Sequence, residues 1–160
     1  MIAIIAAYAH NRVIGNKGII PWKIPGEQKL FRKLTTDNVV IMGRRTYEEI
    51  GRPLPDRITI VISKSRKYSG ENLYSADDLE TAVKLAHILD PNKDVYLSGG
   101  ESVYSEGIEL ADILYLTEID MYVEGDTFFP ETDEKKYIKT LINEVTDDIS
   151  YKQYKYERIK

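Results

Sequence analysis

Hydrophobic positions along the chain fall into short continuous runs, each closed by Gly, Pro or Asp. Ile2–Ala7 is apolar throughout, the pattern of a strand buried on both faces. Val39–Met42, stopping at Gly43, and Ile58–Ile62 read the same way. Asp94–Leu97, which leads into Gly99-Gly100, and Ile113–Ile119 are further strands. Helical segments lie between them. Pro25 suits the first turn of a helix reaching about Thr36. Arg44–Ile50 predicts a short helix closed by Gly51, Pro53 and Pro55. Asp77–Leu89 predicts a longer one, with Leu79, Val83, Ala86 and Ile88 loosely on one side and Asp77 or Asp78 as its cap. A short helix follows Gly100. Asn11–Ile24 carries Gly15, Gly18 and Pro21 and predicts a long loop. Tyr137–Val145 and Tyr151–Ile159 alternate in character about Asp147-Asp148 and predict a C-terminal antiparallel hairpin.

This order predicts an α/β architecture: a mixed, mostly parallel twisted sheet with helices on both faces and a final hairpin. The chain shows no repeat, low-complexity stretch or linker, so residues 1–160 are expected to form a single domain. In such sheets ligands bind beyond the strand C-termini, at a switch in strand order. The loops starting at Ala7, Gly43, Ser63 and Gly99 are therefore the places to look.

Composition narrows the chemistry. The 160 residues contain no cysteine, which removes disulfides, thiolate metal sites and Cys nucleophiles. The formal net charge of −4 argues against a general nucleic-acid binder, while local cations can still build a positive cleft for a small anion. The N-terminal run lacks the basic start of a secretory leader and is too short to cross a bilayer, so a cytoplasmic protein without membrane contact is expected. His10 and His87 have no zinc-site spacing, and no nucleophile elbow is present, so no metal is expected. Tyr151 and Lys155 have a Tyr-x-x-x-Lys spacing but lie in a strand-like tail.

Four clusters can carry chemistry. Glu27 shares a helical face with Leu30, Phe31 and Leu34. A carboxylate there is either desolvated and raised in pKa, as a proton donor requires, or a first-turn acid with its head in water. Gly43-Arg44-Arg45-Thr46 combines a strand end, a helix start, two cations and a hydroxyl, a combination suited to a pyrophosphate. Ser63-Lys64-Ser65-Arg66 follows another strand and can hold a phosphate monoester. Gly99-Gly100 permits close backbone approach to a bound group. Taken singly, each of the last three reads more readily as a plain turn or solvated loop; the three together, all at strand ends, favour a nucleotide cleft.

Taken together, the motifs resemble the dihydrofolate reductase family. The resemblance is carried by Ile4–Ala7, Asn11-Arg12-Val13-Ile14-Gly15, Pro21-Trp22-Lys23-Ile24-Pro25 and Val40-Ile41-Met42-Gly43-Arg44 with Thr46. It continues through Ile50-Gly51-Arg52-Pro53-Leu54-Pro55-Asp56-Arg57, Gly99-Gly100 with Val103-Tyr104, Leu116-Thr117, and Glu124-Gly125-Asp126-Thr127 with Phe129-Pro130. It implies NADPH-dependent reduction of dihydrofolate to tetrahydrofolate, with antifolates as inhibitors. It implies that Glu27 binds the pterin and supports protonation of N5, and that Thr117 hydrogen-bonds that carboxylate. Arg57 would pair with the substrate α-carboxylate, and Ile5, Ala7, Gln28, Phe31, Ile50 and Leu54 would wall the substrate rings. Trp22 and Tyr104 would complete the catalytic group. Ala7, Ile14, Gly15, Ile20, Gly43–Thr46 (with Arg44 and Arg45), Ser63, Lys64, Ser65, Arg66, Ser98, Gly99, Gly100, Glu101, Ser102, Val103, Tyr104 and Thr127 would contact NADPH. Short loops imply a monomer.

The sequence departs from the family pattern at a few positions. Gln28 stands where a large apolar residue is usual. Ser98 replaces Ile or Val, Glu101 replaces a small residue, and Ser102 stands where some bacterial members place Arg. Lys64 and Arg66 can supply charge to a 2′-phosphate, which favours NADPH over NADH. Two other readings fit parts of the pattern: a pyrimidine reductase of riboflavin synthesis on a related fold, and a catalytically silent NADPH-binding protein. The Pro21-Trp22 segment, Glu27 and Arg57 favour the dihydrofolate reductase reading over the first. Intact Glu27, Thr117 and Arg57 favour it over the second.

Overall fold

The computed structural model describes residues 1–15 and 28–159. Its centre is an eight-stranded sheet in the order β5-β4-β3-β6-β1-β7-β10-β9. The strands are β1 (Ile2–Ala9), β3 (Val39–Gly43), β4 (Ile58–Ile62), β5 (Leu73–Ala76), β6 (Val95–Leu97), β7 (Ile113–Ile119), β9 (Tyr137–Val145) and β10 (Tyr151–Arg158). β1 lies between β6 and β7 and runs parallel to both. The parallel set extends through β3, β4 and β5. Only β10 against β7 and β9 against β10 are antiparallel in this sheet. The mixed, mostly parallel sheet with a C-terminal hairpin is thus present.

Alternation along β1 sends side chains to opposite layers. Ile4, Ala6 and Tyr8 join one cluster with Ile41, Ile60, Leu97 and Leu116. That layer is covered by α3 (Leu79–Leu89) and α4 (Glu101–Gly107) through Leu79, Ala82, Ala86, Val103 and Tyr104. Ala3 and Ile5 face the other layer with Tyr96 and Tyr115, against Phe31 and Leu34 of α1 (Lys29–Thr35). Val40, Met42 and Val61 share that side with Tyr47, the buried residue of α2 (Arg44–Ile50). Helices therefore cover both faces.

Several expected boundaries shift. β1 continues to Ala9 because β7 pairs with it through Ala9 and Ile119. The segment expected as a loop contains β2 (Val13–Gly15), which pairs with β8 (Thr127–Phe128). Nothing in its local pattern announces a partner more than a hundred residues away. β5 was hidden by its polar residues, and it is an edge strand of the sheet. In α3, Asp78 is the cap, accepting from Thr81 N–H at 2.8 Å. The buried stripe is Leu79, Ala82 and Ala86, and Ile88 is 78% exposed. Nine residues after Leu79, Ile88 falls on the opposite side of a 3.6-residue helix. The portion of the first predicted helix around Pro25 lies outside the described residues.

Candidate active site

The C-terminal ends of β1, β3, β4 and β6 open into one cleft of about 1920 Å³. Its floor is the seam between β3, β6 and β1, where Gly43, Ser98 and Ala7 meet. Gly43 N–H donates to Gly99 O at 2.7 Å, binding the two glycine turns together. A methyl group on Gly99 would sit 3.3 Å from the Tyr104 hydroxyl and 3.5 Å from Thr46 Oγ1, and Gly99 has φ +109°. Glycine is needed there on both counts. The Gly99-Gly100 peptide is cis. Tyr104 is buried, and its hydroxyl donates to Ile5 O at 2.9 Å. Gly43, Thr46, Gly99, Gly100 and Tyr104 thus form one continuous patch, although they come from distant parts of the chain.

One end of the cleft is cationic. Arg44, Arg45, Ser63, Lys64 and Ser65 all line it. Arg44 Nη1 donates to Ser65 Oγ at 3.0 Å, and its Nε lies 3.3 Å from Glu48. Ser63 Oγ accepts from Arg66 N–H at 3.1 Å, shaping the loop. The Arg66 guanidinium stacks over Tyr68, 5.7 Å from the ring centre, behind the cleft wall rather than in it.

The other end is largely apolar. Ile5, Ala7, Phe31, Ile50 and Leu54 line it, with Gln28 at the start of α1. Glu49 also reaches this wall, and desolvation raises its carboxyl above the usual range. The Ser98 hydroxyl is buried, and no hydrogen-bond partner meets it among the described residues.

Arg57 stands behind Phe31. Its Nε donates to Pro55 O at 2.9 Å and its Nη1 to Thr35 Oγ1 at 3.1 Å. The guanidinium lies 5.8 Å from the Phe31 ring centre. Arg57 is 8% exposed, and no described carboxylate forms an ion pair with it. Burial, and then the charge of Arg32, pull its pKa down, with Asp56 opposing. A desolvated cation with spare N–H donors is primed for an anion from outside the protein.

Thr117, in the middle of β7, is buried and lines the cleft. Its orientation comes from residues that sequence reasoning missed. Gln153 Nε2 donates to Thr117 Oγ1 at 3.2 Å, and Asn143 Nδ2 donates to Gln153 Oε1 at 3.0 Å. The oxygen of Thr117 is thereby an acceptor toward β10, and its own O–H remains a donor. The signal for Gln153 was its phase: it falls two residues after Tyr151 on the buried side of an alternating strand, where an amide requires a partner.

Ile14, Glu101, Ser102, Val103 and Thr127 also line the cleft. Gly15 ends β2. Ile20, Trp22 and Glu27 lie outside the described residues.

A cleft at strand C-termini that joins a cationic, glycine-lined end to an apolar end is that of an α/β enzyme taking an anionic nucleotide beside a flat organic substrate. Comparison with known proteins identifies which such enzymes it is related to. The dihydrofolate reductase family matches residues 1–160. A dihydrofolate reductase of type A13 from Escherichia coli is 38% identical over 161 residues, covering 98% of this chain and 94% of that protein. The dihydrofolate reductase of Haemophilus influenzae is 40% identical over 129 residues, covering 81% of this chain and 78% of that one. The solved dihydrofolate reductase of Enterococcus faecalis, complexed with NADP(H) and RAB-propyl, superposes with a TM-score of 0.87 at 34% identity, covering 100% of this chain and 97% of that one. The chain belongs to the dihydrofolate reductase family.

Proposed function

We propose that this protein reduces 7,8-dihydrofolate to 5,6,7,8-tetrahydrofolate with NADPH, as a single domain over residues 1–160. The observation that carries the reading is the cleft itself, with cations and glycines at one end and, behind an apolar wall at the other, a buried Arg57 that has no carboxylate partner among the described residues. The residues present fit NADPH: Arg44, Lys64 and Ser65 offer donors to phosphate, and the Gly43–Gly99–Gly100 patch lets a planar group approach the backbone. When bound, NADPH supplies the hydride.

The protein's own residues do the rest. Ile5, Ala7 and Tyr104, which line the cleft between its two ends, hold two flat rings in contact and keep water out. Phe31, Ile50 and Leu54 pack the substrate side rings, with Gln28 at their rim. Arg57 holds the α-carboxylate in a two-pronged grip that Lys would not reproduce. Thr117, oriented by Gln153, presents its O–H to the acid of the pterin pocket. That acid is Glu27, which binds the pterin and supports delivery of a proton to N5. Lys64, which lines the cleft, supplies charge for the 2′-phosphate, whereas Arg66, expected to share that role, lies over Tyr68 outside the lining. The expected setting is the cytoplasm, with the protein as a monomer. No helix among the described residues is long and apolar enough to cross a membrane.

The test mixes purified protein with NADPH and dihydrofolate and follows the loss of NADPH absorbance, with NADH as a control. Loss that requires dihydrofolate and is much faster with NADPH is expected. Binding of NADPH without turnover would overturn the reading.

A further inference from the structure

Glu101 opens α4, and its carboxylate reaches away from the helix to another element. Phe128 N–H, in β8, donates to Glu101 Oε2 at 2.6 Å. The other edge of β8 is already used. Val13 pairs with Phe128 and Gly15 with Thr127, and Phe129 N–H donates to Arg12 O at 2.8 Å. Amides alternate sides along a strand, so the Phe128 N–H points away from β2. An isolated two-stranded ribbon is marginal in water, so the anchoring of this one decides its position.

Among the described residues it is held from both sides. Arg12 ties it to β1: its guanidinium donates to Phe129 O at 3.1 Å and to Pro130 O, and lies 5.1 Å from the Tyr8 ring centre. On the α4 side, the rings of Tyr104 and Phe129 pack 5.1 Å apart. That contact is apolar and tolerates sliding, whereas the Glu101 bond is directional and charge-assisted. Both elements border the cleft: Glu101, Ser102 and Val103 line it from α4, and Ile14 and Thr127 from the ribbon.

We infer that Glu101 is a positioning residue, a carboxylate latch that fixes the β2–β8 ribbon against α4 and so sets how tightly the dinucleotide is held. The inference rests on the functional reading above, in which NADPH occupies the cleft between these elements. A small residue at this position could not make the contact. A carboxylate facing an anionic ligand is ordinarily unfavourable. Here it also sits in the first turn of α4, where negative charge is tolerated.

The test uses Glu101→Ala, which removes acceptor and charge, and Glu101→Gln, which removes only the charge. Two readouts are taken: hydrogen exchange at the Phe128 amide in the ligand-free protein, and NADPH dissociation followed by fluorescence. In Glu101→Ala the amide should exchange faster and NADPH should bind about tenfold more weakly, the scale of a lost hydrogen bond to a charged acceptor. Glu101→Gln should stay within about threefold of wild type on both, because its amide oxygen still accepts. Equal effects of the two variants would assign the role to charge alone and overturn the latch. Faster exchange with unchanged NADPH binding, or tighter binding in Glu101→Ala, would overturn its link to the cofactor. If the wild-type protein neither binds NADPH nor turns over, the functional reading fails, while the exchange readout still reports on the latch.

Discussion

Replacing Arg57 by Met separates holding the substrate from holding the fold. In the ligand-free protein the guanidinium makes two described hydrogen bonds, to Pro55 O and to Thr35 Oγ1. Thr35 would not be orphaned, because its hydroxyl donates to Phe31 O at 2.7 Å. Only Pro55 O loses a partner, at about 1–3 kcal/mol if no water replaces it. Against this stands the desolvation of a cation that is 8% exposed and has no acid partner among the described residues, which Met removes while keeping apolar bulk against Phe31. The terms nearly offset, so stability should change by no more than about 1 kcal/mol, or roughly 2–4 °C in melting temperature. Substrate binding should behave differently. Truncating one side of a hydrogen-bonded charge pair costs about 2–5 kcal/mol, which raises the KM for dihydrofolate by roughly 30- to 5000-fold. Turnover number should change little, since the grip acts on ground and transition states alike. Steady-state kinetics and thermal melting read the two effects, and a dihydropterin without the benzoyl-glutamate tail serves as the control that the substitution should leave unaffected. A variant that melts many degrees lower while keeping its KM would show that Arg57 is a structural cation and refute the reasoning.

Gln153→Leu removes the donor that orients Thr117. Turnover of dihydrofolate should fall by about 3- to 10-fold, the value of one hydrogen bond, with NADPH affinity unchanged in a fluorescence titration; loss of both together would mean that the strand has shifted. Lys64→Ala should raise the KM for NADPH by about 3- to 10-fold and leave that for NADH unaltered, so an equal change with both cofactors would remove Lys64 from the 2′-phosphate. Thr59 is fully buried in β4, and its hydroxyl meets no partner among the described residues. Thr59→Val keeps the shape and removes the orphaned group, so the protein should gain about 1–3 kcal/mol in denaturant titration. A loss of stability would show that an ordered water serves that hydroxyl.

What was legible in the sequence was whatever a short stretch specifies by itself. Parallel strands buried on both faces are continuous apolar runs, and the glycine or serine that ends each run marks a loop at the open end of the sheet. Gly43, Ser63 and Gly99 were therefore readable both as strand ends and as cleft residues. Arg57 was legible only through a motif, because nothing local says that Thr35 and Phe31 will close over it. Ile88 shows the reverse failure: an apolar residue was counted into a stripe from which nine positions of helical rotation remove it. β5 (Leu73–Ala76) was not legible because it is a four-residue edge strand with Tyr74 and Ser75 at its centre, too short and too polar to form a continuous apolar run.

The partners of the site residues, Gln153 beside Thr117 and Phe128 beside Glu101, were not legible, for a shared physical reason. Thr117 and Gln153 lie 36 positions apart, Glu101 and Phe128 lie 27 apart, and β2 meets β8 across most of the chain. Each of these contacts joins residues brought together by the tertiary fold, not by their neighbours in sequence. Periodicity reports which face a residue occupies and carries no information about what stands opposite. A buried or inward-facing polar residue in an apolar phase is the one trace such contacts leave, as Gln153 and Ser98 do here. Gln153 meets its partner within the protein. Ser98 meets none among the described residues, so the apolar phase marks it as a buried polar group without specifying what stands opposite.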